Sequence, residues 1–347
     1  LAKIFINGFG NIGRRIASAL ATDKEFQFLG VAKYTPDERI KEAYDQHFNV
    51  YAPEENIEVF KKMGYDVAGT VKEAIQRSDL VIDAAKDGLG YDNLEKYYIP
   101  MSKPVIFQGG EDRFGERSVA NMIHNSRVNY EKSFGQKYVI QGSCNVTGLG
   151  RVMQPLIEAY GKDIKRFDAT LIRRWADLED KKEVKDSIEW DRDPHHQNDV
   201  GDFIKTPPLY VDVYKVPSRM MHLHQLYVRF NNHTPAKDAI VQLYEKEFGV
   251  AVLHSAKGTA DVRKKAMDLG FPYGDTGMVH IHADVLKVQG DTLKIAYSDD
   301  QTGMVIPENH ILLQGMIHQR NKKEAIERTD RLFRMSEKKK LITREFQ

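Results

Sequence analysis

The chain's 347 residues, 41% hydrophobic and 29% charged, suffice for two or three cores of roughly 100 to 200 residues each and exclude a disordered linker or a small stapled module. Fifty-one Lys and Arg balance fifty Asp and Glu, so no global field draws the protein onto nucleic acid or an anionic membrane, and any anion must be met by a local site. No apolar run approaches the about 18 residues of a membrane span, no export pattern opens the sequence, and a single cysteine rules out an internal disulfide; a soluble, cytoplasmic protein is expected.

Along the chain, the first 145 residues alternate short β-rich runs with helical patterns, the mark of βαβ units and a parallel sheet. Strands are predicted at Lys3-Ile4-Phe5-Ile6, at 27–31, 80–83 and 105–107, and at Tyr138-Val139-Ile140. Helices are predicted at 12–21, 37–44 and 71–77. From Phe167 the texture changes to long alternating strands at 167–172, 221–230 and 278–288, the last turning at Gln289-Gly290-Asp291 into 293–297. A polar stretch from Asp177 to Pro208 is too long for an ordinary connection and reads as functional or disordered. Helical patterns return at 236–248, 259–269 and 321–334, and the lysines after Ser336 read as a solvated helix end. The expected architecture is an α/β Rossmann dinucleotide-binding domain (1–142 with 303–347 and its C-terminal helix) plus an α+β catalytic domain (143–302) with a largely antiparallel sheet.

Gly8-Phe9-Gly10-Asn11-Ile12-Gly13 follows the first strand and opens a helix. Gly8 permits the tight turn, Gly10 lets a pyrophosphate approach the backbone, Gly13 lets helix and strand pack, and the peptide groups of Asn11 and Ile12 begin the helix whose N-terminus attracts the anion. Without the strand and helix around it the string would be only a structural turn. At the end of the second strand, where NAD-selective sheets place an acidic residue, this chain has Lys33. A lysine cannot accept hydrogen bonds from ribose hydroxyls but can pair with a 2′-phosphate, so NADP is expected to be tolerated or preferred over NAD; the alternative is a lysine pointing to solvent.

Cys144 sits in Gly142-Ser143-Cys144-Asn145, after a strand and ahead of a helical run. A thiol at a helix N-terminus is expected to have a lowered pKa, and the nearby N–H groups can hold an oxyanion. The competing reading, a buried structural cysteine, is disfavoured by the small polar neighbours.

Taken together, G-F-G-N-I-G-R-R at the start, F-Q-G-G at 107–110, S-C-N-x-T-G-L at 143–149, R-R-x-A-D at 173–177, His195-His196, M-H-x-H at 221–224 and I-P-E-N at 306–309 resemble the archaeal-type (class II) phosphorylating glyceraldehyde-3-phosphate dehydrogenases over nearly the whole chain. The resemblance implies Cys144 as nucleophile and His222 as base. It implies Ser143, Asn145, His195 and His196 on a phosphorylated aldehyde substrate, and Gly110, Arg174 and Gln301 on the cofactor. Inorganic phosphate would be the co-substrate and a homotetramer the assembly. Sulfur suits such a reaction because a thioester stays activated toward phosphate. An H-x-H pair, at His222/His224 or His280/His282, is also a metal-binding pattern, but no third ligand stands at a telling spacing and no metal is expected.

Three departures bear on substrate fit: Val146 where Thr is usual, Trp175 where a small residue is usual with no Pro after Asp177, and Gln197-Asn198 in place of Gly-Pro. Two other readings stand beside the first. One is a related acyl-phosphate reductase for another aldehyde; the other is a non-catalytic nucleotide-binding protein that keeps the fold.

Overall fold

The computed structural model describes residues 1–347, which divide into two compact units: 1–124, 130–141 and 308–333 form the first, and 125–129, 142–307 and 334–347 the second. No helix is long and apolar enough to cross a membrane.

The first unit runs β1 (Ala2–Asn7), α1 (Asn11–Leu20), β2 (Phe26–Ala32), α2 (Ile40–Asp45), β3 (Val50–Ala52), α3 (Ile57–Lys62), β4 (Gly69–Thr70), α4 (Val71–Arg77), β5 (Leu80–Asp83), α5 (Leu89–Asn93), β6 (Val105–Phe107), β7 (Ile123–His124) and β8 (Tyr138–Gln141). Every pair in its sheet is parallel, in the order β4-β3-β2-β1-β5-β6-β8-β7. A sheet reached by crossovers is covered on both faces, which is why Ile4, Phe5, Ile6, Val81, Ile82 and Ile106 are all buried and their strands read as continuous apolar runs. The order reverses between β1 and β5, the switch point where open α/β sheets take their ligands. There the buried Asp83 carboxylate accepts hydrogen bonds from Asn93 (2.9 Å), Tyr98 (2.5 Å) and Asn7 (3.3 Å), while Tyr34 donates to Asn7 Oδ1 at 3.0 Å. This network fixes the end of β1, the residue immediately before Gly8.

The second unit contains α6 (Cys144–Tyr160), β9 (Ile164–Arg174), β10 (Glu189–Trp190), α7 (His196–Gly201), β11 (Leu209–Val216), β12 (His222–Phe230), α8 (Lys237–Glu245), β13 (Val250–Leu253), α9 (Thr259–Asp268), β14 (Val279–His282), β15 (Lys287–Gln289) and β16 (Thr292–Asp299). The sheet order is β10-β11-β9-β12-β16-β14-β13, with β15 on β16. The sheet is mixed: β9/β11 and β13/β14 pair parallel, the rest antiparallel. The parallel pairs follow from two crossovers, one through α9 and one through the polar stretch 177–208, which carries β10 and α7. The start of that stretch is held by Arg219, which donates to the carbonyls of Asp177 (3.0 Å) and Asp180 (2.7 Å) and also to that of Lys182.

Two expectations are corrected here. The run 278–288 is not one strand. Ile281 pairs with Tyr297 and Lys287 with Lys294, so six steps along one chain face three along the other and the excess turns out at Ala283–Val285. The C-terminal segment also divides: α10 (Val305–His318) and α11 (Lys322–Phe333) lie largely with the first unit, but α12 (Met335–Glu345) belongs to the second. It is not a solvated end, because Met335, Ile342 and Phe346 are buried and the Phe346 carbonyl accepts from the His254 N–H at 2.7 Å. Lys339 donates to the carbonyls of Glu245 (2.7 Å) and Glu247 (2.9 Å).

Candidate active site

In the first unit the glycine turn has the shape that dinucleotide binding needs. Gly8 has φ +126°, and a Cβ there would lie 2.4 Å from the Ala84 carbonyl oxygen; one on Gly13 would lie 2.1 Å from the Gly8 carbonyl oxygen. A Cβ on Gly10 would meet nothing within 4 Å, so the backbone there is open to a bulky ligand. Gly10 is the N-cap of α1 and no side chain caps that end, leaving the helix N-terminus to an anion. These residues, with Asn11 and Ile12 in the first turn, fit a pyrophosphate. Gly110, φ +97°, belongs to the same unit. Lys33 does not point to solvent: its ammonium pairs with Asp37 at 2.6 Å, with the lysine side chain 10% exposed.

The second unit assembles the cysteine site. Ser143 is the N-cap of α6, its hydroxyl accepting from the Val146 N–H at 3.4 Å, and Cys144 is the first helical residue. In the β12/β16 ladder His222 stands opposite Asp299 and His224 opposite Tyr297. Alternation puts all four side chains on one face. That face meets Cys144: the thiol sulfur, a His222 ring nitrogen and an Asp299 carboxylate oxygen all lie within 4.8 Å of one another. Gly148 in α6 makes room, since a Cβ there would be 3.1 Å from Asp299 Oδ2 and 3.5 Å from the Tyr297 ring.

The electrostatics differ from the helix-terminus expectation. Cys144 keeps some exposure, yet the surrounding protein strips enough water from the sulfur to push its pKa up to about 12, and the Asp299 carboxylate adds to the rise; Arg174 and Arg173 oppose it. Loss of hydration outweighs the helix N-terminus, so the resting group is a thiol. Burial likewise drives His222 well below the usual imidazole range, with Arg174, His224, Arg173 and His196 adding to the fall. The neutral ring accepts the Arg174 peptide N–H on Nδ1 at 3.0 Å, which places its own proton on Nε2. Neither nitrogen then has a vacant lone pair, so as arranged the ring donates rather than binds a proton or a metal ion.

His224 Nε2 hydrogen-bonds Asp299 Oδ2 at 3.0 Å, with both side chains fully buried. Asp299 Oδ1, His224 Nδ1 and the Tyr297 hydroxyl have no partner. The sequence reading missed Asp299. The available signal was the paired alternation of His-x-His with Tyr-x-Asp, but only the register joins them. The second H-x-H pair is not open to a ligand on its Ser298 side, because His282 Nε2 (3.1 Å) and His280 Nδ1 (3.3 Å) both meet Ser298 Oγ.

The other predicted residues divide. Asn145 Nδ2 donates to His196 Nε2 at 3.1 Å, and burial together with the neighbouring His195 and Arg173 pushes the His196 pKa down to about 2. His195 stacks on it, ring centres 4.1 Å apart, and its Nδ1 meets Asp199 at 2.6 Å; that bond raises its pKa, favouring the cation. Arg174 spends its guanidinium on Asp177. Gln301 is buried with Oε1 unpartnered. Of the departures, Val146 and Trp175 are buried, the Trp175 ring lying 4.3 Å beneath the Lys215 ammonium, and Gln197 accepts the Val211 N–H at 3.2 Å. A pocket lined by Arg173, Arg192, Lys215 and Trp190 together with Glu189 and Asp191, which sequence reasoning did not find, sets three cations beside two carboxylates.

No family model matches the chain. It is 34% identical over 345 residues to the glyceraldehyde-3-phosphate dehydrogenase of Pyrobaculum islandicum, an alignment covering 96% of this chain and 98% of that one. To the enzyme of the same name from Archaeoglobus fulgidus it is 31% identical over 335 residues, covering 94% and 96%. To that of Sulfolobus acidocaldarius it is 31% identical over 336 residues, covering 94% and 96%.

Proposed function

The chain belongs to the glyceraldehyde-3-phosphate dehydrogenases, and from that premise we propose that it catalyses the reversible, phosphorylating oxidation of D-glyceraldehyde 3-phosphate to 1,3-bisphosphoglycerate, a step of glycolysis and gluconeogenesis. The observation that carries this reading is the meeting of Cys144 with the His222 imidazole in the second unit. Cys144 adds through sulfur to the aldehyde carbon, giving a hemithioacetal. Loss of hydride and of the hydroxyl proton makes the thioester, and inorganic phosphate then displaces the sulfur. The nicotinamide cofactor, when bound, supplies the hydride acceptor.

His222 is the acid–base partner of the hemithioacetal oxygen. Its Nε2–H donates to the oxygen as negative charge develops there, and the ring takes the hydroxyl proton only by giving up its bond to the Arg174 N–H. Ser143 and Asn145 flank the sulfur and orient the substrate. The anionic end of the substrate meets His195 and His196, with the cations of Arg173, Arg192 and Lys215 outweighing the Glu189 and Asp191 carboxylates of the same pocket, because a partly charged imidazole and guanidinium groups suit phosphate oxygens. The dinucleotide is held by Gly8, Gly10, Asn11, Ile12 and Gly13, with Gly110, Arg174 and Gln301 as further contacts. Lys33 admits the 2′-phosphate of NADP beside NAD.

We also propose the domain roles: a dinucleotide-binding part made of 1–142 with the helices α10 and α11, and a catalytic part at 143–302 that α12 joins and whose sheet is largely antiparallel. A homotetramer in the cytoplasm completes the proposal. The deciding experiment is a steady-state assay with glyceraldehyde 3-phosphate and inorganic phosphate, with NADP and with NAD, on the wild type. Turnover that needs both the phosphate and the aldehyde is expected. Activity with aspartyl phosphate or erythrose 4-phosphate in its place would overturn the assignment.

A further inference from the structure

We propose that Asp299, held by His224, is the group that takes the proton from Cys144 when the sulfur attacks, so that the nucleophile is served by a carboxylate as well as by the imidazole. The proposal rests on the dehydrogenase reading above and adds a residue to it.

The argument begins with what His222 lacks. Its Nδ1 lone pair is engaged by the Arg174 N–H, and a neutral ring in that arrangement carries its proton on Nε2. It can support a developing alkoxide but takes the thiol proton only by giving up its bond to the Arg174 N–H. Within the cluster of Cys144, His222 and Asp299, the acceptor with capacity to spare is Asp299. Its Oδ2 is committed to His224 Nε2 at 3.0 Å, whereas Oδ1 is buried and has no partner. A carboxylate oxygen left unpaired out of water is costly, so its presence in a carboxylate beside the nucleophile calls for a use. Within 4.8 Å, a small rotation about the Cys144 side chain or a single intervening water closes the gap, and such bonds are commonly long before substrate arrives.

The proton and electron count closes. The S–H bond breaks and its proton passes to Asp299 Oδ1; the sulfur lone pair forms the S–C bond; the carbonyl π pair becomes an alkoxide held by the His222 N–H. Hydride leaves the carbon for the nicotinamide cofactor of the proposed reaction as the C=O bond of the thioester forms. The one proton released is the one on Asp299. When phosphate expels the thiolate, that proton returns to sulfur or passes to solvent. His224 acts here as a positioning residue, since its N–H fixes Oδ2 and leaves Oδ1 without a partner.

The other groups around Cys144 do not replace this role. Arg173 and Arg174 on β9 are cations without an acceptor; His196 on α7 accepts from Asn145; His222 on β12 is engaged as described; His224 on β12 holds Asp299 through Nε2, and its free Nδ1 is not among the atoms clustered at the sulfur; and the Tyr297 hydroxyl on β16 stays protonated, its pKa raised by burial and by the nearby Asp299 and Cys144 charges.

The test uses Asp299→Asn in the full chain and reads alkylation of Cys144 by iodoacetamide against pH beside turnover. Removing the negative charge is expected to lower the midpoint for alkylation by about one pH unit or more, so that the thiol reacts faster at pH 8, while turnover falls at least tenfold. An unchanged alkylation midpoint overturns the proposal. So does turnover that is retained or that rises with alkylation, for then Asp299 only represses the thiolate. Alkylation needs neither aldehyde nor cofactor, so a wild type inert toward the aldehyde is read separately, as failure of the dehydrogenase reading.

Should the Asn variant not fold, the His224 pair carries the test. His224→Gln keeps a donor toward Oδ2 and is expected to keep the wild-type pH profile of turnover. His224→Leu strands both carboxylate oxygens and is expected to move the acid limb upward by about one pH unit. Equal profiles in the two variants overturn the proposal.

Discussion

The glycine turn of the first unit and the cysteine cluster of the second are both compact chemical sites, but they are specified in different ways. From Gly8 to Gly13 the site is six consecutive residues between β1 and α1, and its properties are backbone properties: a positive φ, a close approach and an uncapped helix end. The cysteine cluster takes one residue from α6, two from β12 and two from β16, brought together by strand register. The first tolerates side-chain change and resists a Cβ at Gly8 or Gly13; the second tolerates backbone neighbours and depends on individual functional groups.

The sharpest way to break that comparison is to exchange their sensitivities. Cys144→Ser replaces sulfur with a much poorer nucleophile and leaving group, and turnover is expected to fall about 1,000-fold or more. Cofactor affinity, read by fluorescence titration with NADP, should stay within about twofold. Comparable loss of binding would mean that the thiol supports the structure as well as the chemistry. Gly8→Ala should do the reverse. A Cβ 2.4 Å from the Ala84 carbonyl oxygen, on a residue at φ +126°, is expected to cost about 2 to 4 kcal/mol of stability and to weaken dinucleotide binding. The alkylation profile of Cys144 should be untouched. A shift in that profile would show that the two sites are not independently specified.

The same contrast explains what could be read in the chain. The parallel sheet of the first unit was legible because strands buried on both faces leave contiguous apolar runs such as Leu80–Asp83, and the turn because Gly8, Gly10 and Gly13 are needed for local reasons. Cys144 was legible for its place between a strand and a helical run, at the start of α6. Its charge state was not, because burial and Asp299 decide it and neither is local. Asp299 itself sits in a strand of alternating residues whose partner could not be known before β12 and β16 were aligned. The short strands Val50–Ala52 and Gly69–Thr70 gave too little periodicity to be seen. The fate of the last helix turned on Met335, Ile342 and Phe346 finding a surface in the second unit rather than on the lysines beside them.

Acid should act on both regions, but more on the second. His124 in the first unit and His196, His222, His280 and His282 in the second all have pKa values lowered mainly by burial, to about 2 for His196 and about 4 for His280. Each native ring stays neutral where the unfolded ring, at about 6.5, takes up a proton. Below pH 6.5 the unfolded state therefore binds more protons, and stability falls with pH at up to about 1.4 kcal/mol per unit for each histidine until its native value is reached. Urea midpoints should be level above pH 7 and drop steeply from pH 6 to 4. A midpoint independent of pH over that range would mean these rings exchange with water far more than their burial implies.

The smallest effect expected concerns the proposed role of Lys33, in which a side chain rather than the backbone would set cofactor selectivity. Lys33 is proposed to meet the 2′-phosphate of NADP, but Asp37 already holds its ammonium at 2.6 Å, and Asp37 is half exposed. An ion pair of that kind is worth about 1 kcal/mol or less, so a phosphate dianion can compete for the lysine at modest cost. Two variants measure the competition. Lys33→Asp should weaken NADP by about tenfold through lost attraction and added repulsion, with NAD little affected. Asp37→Asn should release the lysine and tighten NADP by about threefold, again leaving NAD alone. Both shifts should shrink in 0.5 M salt, as screened charges do. If Asp37→Asn leaves the NADP to NAD ratio where it was while Lys33→Asp lowers both cofactors equally, Lys33 is a structural partner of Asp37 and cofactor choice is made elsewhere in the first unit.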